Sequence, residues 1–146
     1  VKPGQKVADI GSGAGLPGIP MAISQPEADF VLIEPMERRS DWLKQQVADL
    51  GLTNVEVLRA RAEEVGSVYD IVTARAVSNL SKLLRLTVDL IRDGGELLAL
   101  KGSKAAEEID EAQKLAKKLK IAGFDLLTVG GEHLADPTTV VRTRLI

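Results

Sequence analysis

The chain of 146 residues contains no cysteine and only one histidine, His133. The absence of cysteine excludes disulfides, thiolate metal sites and every mechanism that needs a cysteine nucleophile. A single histidine cannot build a histidine-based metal site, so we expect no bound metal. We expect His133 to be a solvated loop residue and not a catalyst.

Long hydrophobic runs and an excess of basic charge are also absent. No apolar run approaches the roughly 20 residues that a membrane helix requires, and no leader pattern opens the chain. The 19 Lys and Arg residues face 21 Asp and Glu residues, so any nucleic-acid site must be local. We therefore expect a cytoplasmic, monomeric protein with no membrane contact, and one domain over residues 1–146.

A glycine-rich turn follows an apolar run in the stretch Val7-Ala-Asp-Ile-Gly-Ser-Gly-Ala-Gly-Leu16. The apolar run predicts a buried strand. Gly11, Gly13 and Gly15 predict a tight turn, because glycine adopts positive φ and lets another molecule approach the backbone. The N–H groups of such a turn face a ligand at the N-terminus of the next helix, so we predict a cofactor site here.

Two cofactors compete for this turn. Gly13-Ala-Gly-Leu-Pro-Gly18 matches the dinucleotide fingerprint G-x-G-x-x-G, but Pro17 lies inside it. In the frame that starts at Gly11, Leu16 occupies the third glycine position. The carboxylate of Asp9 suits a cationic ammonium group and disfavours a pyrophosphate. The sequence therefore favours S-adenosylmethionine (SAM), and a dinucleotide remains the alternative.

The rest of the chain alternates strands and helices. Further strands are predicted at residues 29–33, 55–58, 69–74, 97–100, 123–129 and 139–145, and helices at 19–24, 37–50, 80–91 and 105–119. Residues 93–96, Asp-Gly-Gly-Glu, are predicted to form a turn that ends the third helix. The helix at 37–50 is predicted to bury one apolar stripe, which consists of Trp42, Leu43, Val47 and Leu50.

No helix fits between the last two predicted strands, so we expect them to form an antiparallel hairpin at one edge of the sheet. The alternation of Val140, Arg142 and Arg144 is typical of an edge strand. The result is an α/β fold with a seven-stranded, mostly parallel sheet and helices on both faces. This is the Rossmann-like architecture of class I SAM-dependent methyltransferases, whereas dinucleotide folds continue with a parallel sixth strand.

Two positions after predicted strands are candidates for cofactor contacts. Glu34 follows the second strand, where doubly wound folds hold a ribose diol by hydrogen bonds to an acid. Ala62 and Glu63 follow the third strand, where the loop of a SAM-binding fold passes the adenine ring. A plain short helix is almost as good an account of Ala62 and Glu63.

Two basic residues leave the next two strands. Arg75 follows the fourth strand and Lys101 the fifth, and ligands of open α/β sheets bind at this end of the strands. Cations there suit an anionic or base-bearing substrate. The alternatives for Arg75 are an ordinary ion pair and a role in bracing the cofactor loop.

Five segments together carry a resemblance to a known family: Val7-Ala-Asp-Ile-Gly-Ser-Gly-Ala-Gly-Leu-Pro-Gly-Ile-Pro20, Glu34 with Arg38-Arg39, Arg61-Ala-Glu63, Thr73-Ala-Arg-Ala76 and Leu100-Lys-Gly102. Through nearly its whole length the chain resembles the bacterial small-subunit (16S) ribosomal RNA guanine-N7 methyltransferases, once called glucose-inhibited division protein B. The motif G-L-P-G-I-P is much more specific to that family than the glycines alone.

The resemblance implies SAM as cofactor, with contacts at Gly11, Leu16, Ala62 and Glu63 and with Arg75 near the cofactor and the target base. Glu34 replaces the family's frequent aspartate and lengthens the arm of the carboxylate. Members of the family carry an N-terminal helical segment before the first strand. This chain begins directly at that strand, so we expect it to be part of a longer protein.

The implied reaction is methyl transfer to N7 of a guanine in small-subunit ribosomal RNA, either naked or in the assembled subunit. Guanine N7 has an in-plane lone pair and no proton, so the reaction needs no general base. We expect Arg75 and Lys101 as the catalytic residues, joined by Arg38 and Arg39 in positioning the base through phosphate and O6 contacts. Methylation of a small molecule or a protein is the alternative, and an NAD-binding or non-catalytic module is a third hypothesis.

Overall fold

A computed structural model describes residues 1–75, 78–131, 135 and 137–146, so the prediction for His133 lies outside the described residues. The described strands are β1 (Lys6–Ile10), β2 (Asp29–Ile33), β3 (Val55–Leu58), β4 (Tyr69–Arg75), β5 (Ile91–Lys101), β6 (Ile121–Val129) and β7 (Thr138–Leu145). The helices are α1 (Gly18–Ser24), α2 (Glu37–Asp49), α3 (Leu80–Thr87) and α4 (Ala105–Ala112). None of the described helices is long and apolar enough to cross a membrane.

The strands form one seven-stranded sheet in the order β3-β2-β1-β4-β5-β7-β6. Strands β1 to β5 are parallel, and β7 runs antiparallel to both β5 and β6. The sheet with one reversed strand and a terminal hairpin is therefore as predicted. The chain leaves β1 towards β2 and later returns to β4 on the other side of β1. Ligands of open α/β sheets bind at such a switch point.

Apolar side chains alternate between the two faces of the sheet, since successive residues of a strand point to opposite sides. Ala8, Val72 and Leu97 face one side and pack in the cluster that contains Leu83 and Leu84 of α3. On the other side, Val7 and Ile71 pack with Ala22 of α1, while Leu32 packs with Leu43 of α2. Helices cover both faces of the sheet, as predicted.

The alternating charges of β7 were wrongly interpreted as an edge pattern, because β7 lies between β5 and β6 and β6 is the edge strand. An inner strand tolerates these arginines because neighbouring strands supply carboxylates. Arg142 donates to Asp125 of β6 at 2.9 Å and lies 3.9 Å from Glu96 of β5. The hydrogen bond from Arg142 lowers the pKa of Asp125.

Strand β5 begins at Ile91 and not at residue 97, because the predicted turn at 93–96 is a bulge within the strand. Tyr69 pairs with Ile91 and Ile71 pairs with Glu96, so extra residues are accommodated on β5. Gly94 has a positive φ of 73°. A Cβ on Gly95 would lie 2.7 Å from the carbonyl oxygen of Asp70. Glycine is therefore required where β5 approaches β4.

Two predicted helices are shorter than their apolar patterns indicated. The helix predicted at 80–91 ends at Thr87 and continues as a 3-10 turn, Val88–Leu90. The helix predicted at 105–119 ends at Ala112, and a 3-10 turn follows at Gln113–Leu115. In both cases the apolar pattern continues beyond the helix because the 3-10 turn also places a residue in the core, Leu90 in the first and Leu115 in the second.

Replacing Gly95 by alanine is expected to lower the free energy of unfolding by about 1–3 kcal/mol, because the new methyl group overlaps the backbone of β4. Urea denaturation followed by circular dichroism measures this change. Gly66→Ala is the matched control, since a Cβ at that exposed glycine meets no atom within 4 Å. Equal stabilities of the two variants would contradict the packing argument.

Candidate cofactor and substrate site

The glycine turn connects β1 to α1 at the switch point of the sheet. Its first residue, Gly11, has a φ of 64° and donates its N–H to the carbonyl of Ile33 at 2.9 Å, which joins the turn to the end of β2. A Cβ on Gly18 would lie 2.4 Å from Leu32, so this glycine permits α1 to pack against the sheet. Gly13 differs, because a Cβ there would meet only the Gly11 carbonyl oxygen, at 3.7 Å. Gly13 is therefore a position at which the described residues leave the turn open.

Asp9 holds the turn from inside. Its carboxylate is almost fully buried, at 1% exposure. Atom Oδ2 accepts hydrogen bonds from Ser12 Oγ at 2.7 Å and from the Gly18 N–H at 3.0 Å. Atom Oδ1 has no hydrogen-bond partner among the described residues. The contact of Asp9 with a cofactor stays a prediction, whereas its contacts with both ends of the turn are present.

Burial raises the pKa of Asp9 to about 7. The hydrogen bonds from Ser12 and Gly18 act in the opposite direction, as does the positive charge of Arg75, and the negative charge of Glu34 raises the pKa further. Burial dominates because a carboxylate loses most of its hydration at this position. Asp9 therefore changes its charge near neutral pH.

Glu34 braces the same turn from the end of β2. Its carboxylate is buried, with 3% exposure. Oε1 accepts the N–H of Gly13 at 3.0 Å and Oε2 accepts the N–H of Met36 at 2.9 Å. Each carboxylate oxygen retains a second lone pair for a ligand hydroxyl group. The predicted ribose contact of Glu34 is therefore compatible with its bracing contacts.

Three cavities surround Arg75 at the carboxyl end of β4. The first, of about 480 Å³, is lined by Gly11, Gly13, Glu34, Pro35, Met36, Arg39 and Arg75. The second, of about 450 Å³, is lined by Gly13, Ala14, Arg38, Arg39, Trp42 and Arg75. The third, of about 670 Å³, lies towards β5 and α4 and is lined by Arg75, Ser78, Asn79, Leu100, Lys101, Gly102, Lys104, Glu108 and Thr138. Arg75 is thus shared by the side of the crevice next to the glycine turn and the side next to β5.

Lys101 has a different environment from the one predicted. Its side chain is buried, with 7% exposure, and its Nζ lies 3.1 Å from Glu108 Oε1. The same amino group donates a hydrogen bond to the carbonyl of Ser78, and Glu108 also accepts the N–H of Leu80 at 2.8 Å. Lys101 therefore joins β5, α4 and the start of α3. This geometry favours a positioning role, and direct contact of Lys101 with a substrate stays a prediction.

The remaining predicted cofactor residues lie outside the cavity linings described above. Ala62 and Glu63 belong to a 3-10 turn, Ala62–Glu64, in which Ala62 is buried and Glu63 is exposed. The structure therefore contains a short helical turn here, as the alternative account of Ala62 and Glu63 predicted. Leu16 is 42% exposed at the surface of the turn. The contacts of Ala62 and Glu63 with an adenine, and of Leu16 with SAM, stay predictions.

The predicted apolar stripe of α2 was wrong at its two ends. The structure buries Ser40 and Leu43, whereas Trp42 is 46% exposed and Leu50 is 53% exposed. Trp42 lies beside the glycine turn, and sequence reasoning assigned it to the core. A signal was present, because Arg38 and Arg39 precede Trp42 by four and three residues and so share its helix face.

A family model described as rRNA small subunit methyltransferase G matches residues 1–134 of this sequence. The chain belongs to this family. A ribosomal RNA small subunit methyltransferase G of Clavibacter michiganensis is 52% identical over 141 residues, which are 95% of this chain and 67% of the relative. The protein of that name in Mycolicibacterium smegmatis is 45% identical, with 99% of this chain and 63% of the relative covered. The chain spans about two thirds of the length of these relatives.

Solved structures agree on the fold. A SAM-dependent O-methyltransferase from Thermotoga maritima aligns with a TM-score of 0.76 and 15% identity, covering 100% of this chain and 61% of the other. A SAM-dependent methyltransferase from Aquifex aeolicus aligns with a TM-score of 0.72 and 21% identity, covering 99% and 84%. Together with the family, these similarities confirm the class I methyltransferase fold and the choice of SAM over a dinucleotide.

The titration of Asp9 gives the first prediction for this site. The folded protein binds a proton at Asp9 more tightly than the unfolded chain, whose aspartate has the ordinary pKa of 3.8. This group's contribution to stability is therefore complete below about pH 4 and is lost as the pH rises towards 7. Between pH 5 and pH 8, the free energy of unfolding should fall by about 2–3 kcal/mol more in the wild type than in Asp9→Asn.

Urea denaturation of both proteins at the two pH values measures this difference. Asparagine retains an oxygen that accepts from Ser12 and Gly18, so the variant separates charge from geometry. Identical pH profiles of the wild type and Asp9→Asn would contradict the raised pKa.

Proposed function

We propose that this chain transfers a methyl group from SAM to N7 of a guanine in 16S ribosomal RNA. The observation that supports this proposal is the place of Arg75. Its side chain lines both the cavity beside the glycine turn that contains Glu34 and the large cavity next to β5. A cofactor on one side and a base on the other would both lie within reach of its guanidinium group.

The residues of the turn fit the cofactor. Gly13 presents an open backbone position, and Glu34 combines a braced carboxylate with unused lone pairs. The buried Oδ1 of Asp9, which lacks a partner among the described residues, adds negative polarity below the turn. When bound, SAM supplies an electrophilic methyl group on a positively charged sulfur. Acidic groups around the turn suit that charge, whereas a pyrophosphate would meet repulsion.

The chemistry of the acceptor atom explains why the reaction requires no general base. Guanine N7 carries a lone pair in the ring plane and no proton, so methylation there requires orientation rather than proton removal. The planar guanidinium of Arg75 donates to O6 or to a phosphate with fixed geometry. Glu108 lines the same cavity, but its carboxylate is engaged by Lys101 and by the Leu80 N–H.

Arg38 and Arg39 are proposed as phosphate contacts at the rim of the crevice. Both side chains are exposed on α2 and line the cavity beside the turn. Their position gives the chain a local basic surface despite its net charge of -2. We further propose that the protein acts in the cytoplasm as a single-domain monomer on small-subunit ribosomal RNA, naked or assembled. Methylation of a small molecule or protein is the second candidate, since the fold alone permits it equally.

Calorimetric titration with SAM, S-adenosylhomocysteine and NADH tests the cofactor site. We expect saturable heat with the first two ligands and none with NADH. Gly13→Val should abolish SAM binding, because a β-branched residue is strained at a φ of 58° and its side chain enters the open position of the turn. Binding of NADH would overturn the cofactor assignment.

A methylation assay on unmethylated small ribosomal subunits tests the substrate. Transfer of labelled methyl groups to guanine N7, located by cleavage of the RNA at the modified base, is the expected result. Methylation at another atom, or of protein alone, would favour the second candidate function.

Arg75→Lys keeps the positive charge and removes the planar pair of donors. We expect at least a tenfold fall in the rate of methylation, because a bidentate contact contributes about 1–3 kcal/mol. Arg85→Lys on the exposed side of α3 is the matched control and should retain the wild-type rate. Full activity of Arg75→Lys would exclude an oriented guanidinium, leaving only a general role for the charge.

A further inference from the structure

The exposed indole of Trp42 has no role in the cofactor chemistry described above. Trp42 is the only tryptophan of the chain and lies in α2 with 46% of its surface exposed. The neighbouring Leu43 is fully buried and anchors the helix to β2 through Leu32. The packing of α2 is therefore supplied by Leu43 together with the partly buried Val47, and the indole is left at the surface beside the glycine turn.

Two arginines share the helix face of Trp42. Arg38 and Arg39 precede it by four and three residues, the spacings that place side chains next to one another on a helix. Together with Gly13, Ala14 and Arg75, these three side chains line a cavity of about 450 Å³. Of the described residues that line this cavity, none is acidic. Within the described ranges, no carboxylate forms a salt bridge with Arg38 or Arg39.

The combination of charges and a flat aromatic ring restricts the occupant of this surface. SAM carries a positive charge at sulfur, so a cavity lined by three arginines disfavours that group. A second copy of the chain would bring identical arginines together in a symmetric contact, with like-charge repulsion. A single-stranded nucleic acid fits both the arginines and the indole, because its phosphates pair with arginine and its bases stack on aromatic rings.

We propose that Trp42 stacks on an unpaired RNA base next to the target guanine, while Arg38 and Arg39 hold the flanking phosphates. This inference rests on the proposed function, since it assigns a further contact of the same RNA. Arg75 lies both in this cavity and in the large cavity next to β5. An RNA strand that crosses α2 would therefore lead its next nucleotide towards Arg75. Trp42 is a positioning residue in this arrangement and takes no part in bond formation.

The single tryptophan provides a direct measurement of stacking. Fluorescence of the chain, excited at wavelengths selective for tryptophan, is followed during titration with single-stranded oligoadenylate, oligouridylate and inorganic polyphosphate. We expect quenching by both RNAs, stronger with oligoadenylate because adenine has the larger ring. Polyphosphate should bind the arginines without quenching. Free N-acetyltryptophanamide corrects for absorption of the exciting light by the RNA.

Variants separate stacking from general apolar contact. Affinity for fluorescently labelled oligoadenylate, measured by anisotropy, should fall about tenfold in Trp42→Leu and remain within about twofold of the wild type in Trp42→Phe. Leu50→Ala is the matched control, because it removes an equally exposed apolar side chain from the C-terminal end of α2. Its RNA affinity should equal that of the wild type. Calorimetry should give unchanged SAM affinity for all three variants.

Several results would overturn this inference. They are unchanged RNA affinity of Trp42→Leu, absence of quenching by both RNAs, equal quenching by polyphosphate, and parallel loss of SAM affinity, which would assign the indole to the cofactor. Concentration-dependent burial of Trp42 together with dimerisation in gel filtration would assign the surface to self-association. Failure of the proposed function has a different signature, since wild-type protein would then leave small subunits unmethylated whatever the behaviour of Trp42.

Discussion

The buried carboxylate of Asp9 is the constraint on which the rest of the site depends. One oxygen of this residue accepts hydrogen bonds from Ser12 and Gly18, so a single group at the end of β1 joins the middle of the turn to the start of α1. The second oxygen has no partner among the described residues and raises the energetic cost of the charge. Burial consequently raises the pKa of Asp9 to about 7, and the arrangement of the turn becomes coupled to proton binding.

Glu34 complements Asp9 from the neighbouring strand. It accepts the N–H of Gly13, which Asp9 does not reach, and the N–H of Met36 at the exit from β2. Two buried acids thus hold one glycine turn by backbone hydrogen bonds. An acidic turn of this kind favours a cationic ligand such as a sulfonium over a pyrophosphate.

The crevice has an acidic part and a basic part. The acids lie beneath the turn, whereas Arg38, Arg39 and Arg75 lie along its rim and next to Trp42. A protein with a net charge of -2 still presents a local basic surface, because these arginines are concentrated along one rim of the crevice, where we propose that the RNA strand binds. The ion pair of Lys101 with Glu108 has another purpose, which is to join β5 to α4 and so to keep the wall of the large cavity in place.

The local errors of prediction have identifiable physical causes. The bulge of β5 was predicted as a turn because Gly94 and Gly95 are typical of turns, and only the nearby carbonyl of Asp70 explains why glycine is needed inside a strand. The inner position of β7 depends on carboxylates from two other strands. Trp42 fits the hydrophobic period of α2, but Leu43 and the partly buried Val47 supply its packing in the cluster of Leu32, so the period could not show which apolar residue stays exposed.

The sequence by itself determined the order of strands and helices, the glycine turn, the terminal hairpin and the position of Glu34 at the end of β2. It also determined the family and the preference for SAM. These features depend on local patterns, such as hydrophobic period, glycine spacing and short motifs, which act over a few residues. Only the tertiary structure decided that Asp9 and Glu34 brace the turn, that Lys101 is paired with Glu108, and that Arg75 joins three cavities. The physical reason is that burial and ion pairing depend on residues far apart in the chain, which the sheet brings together.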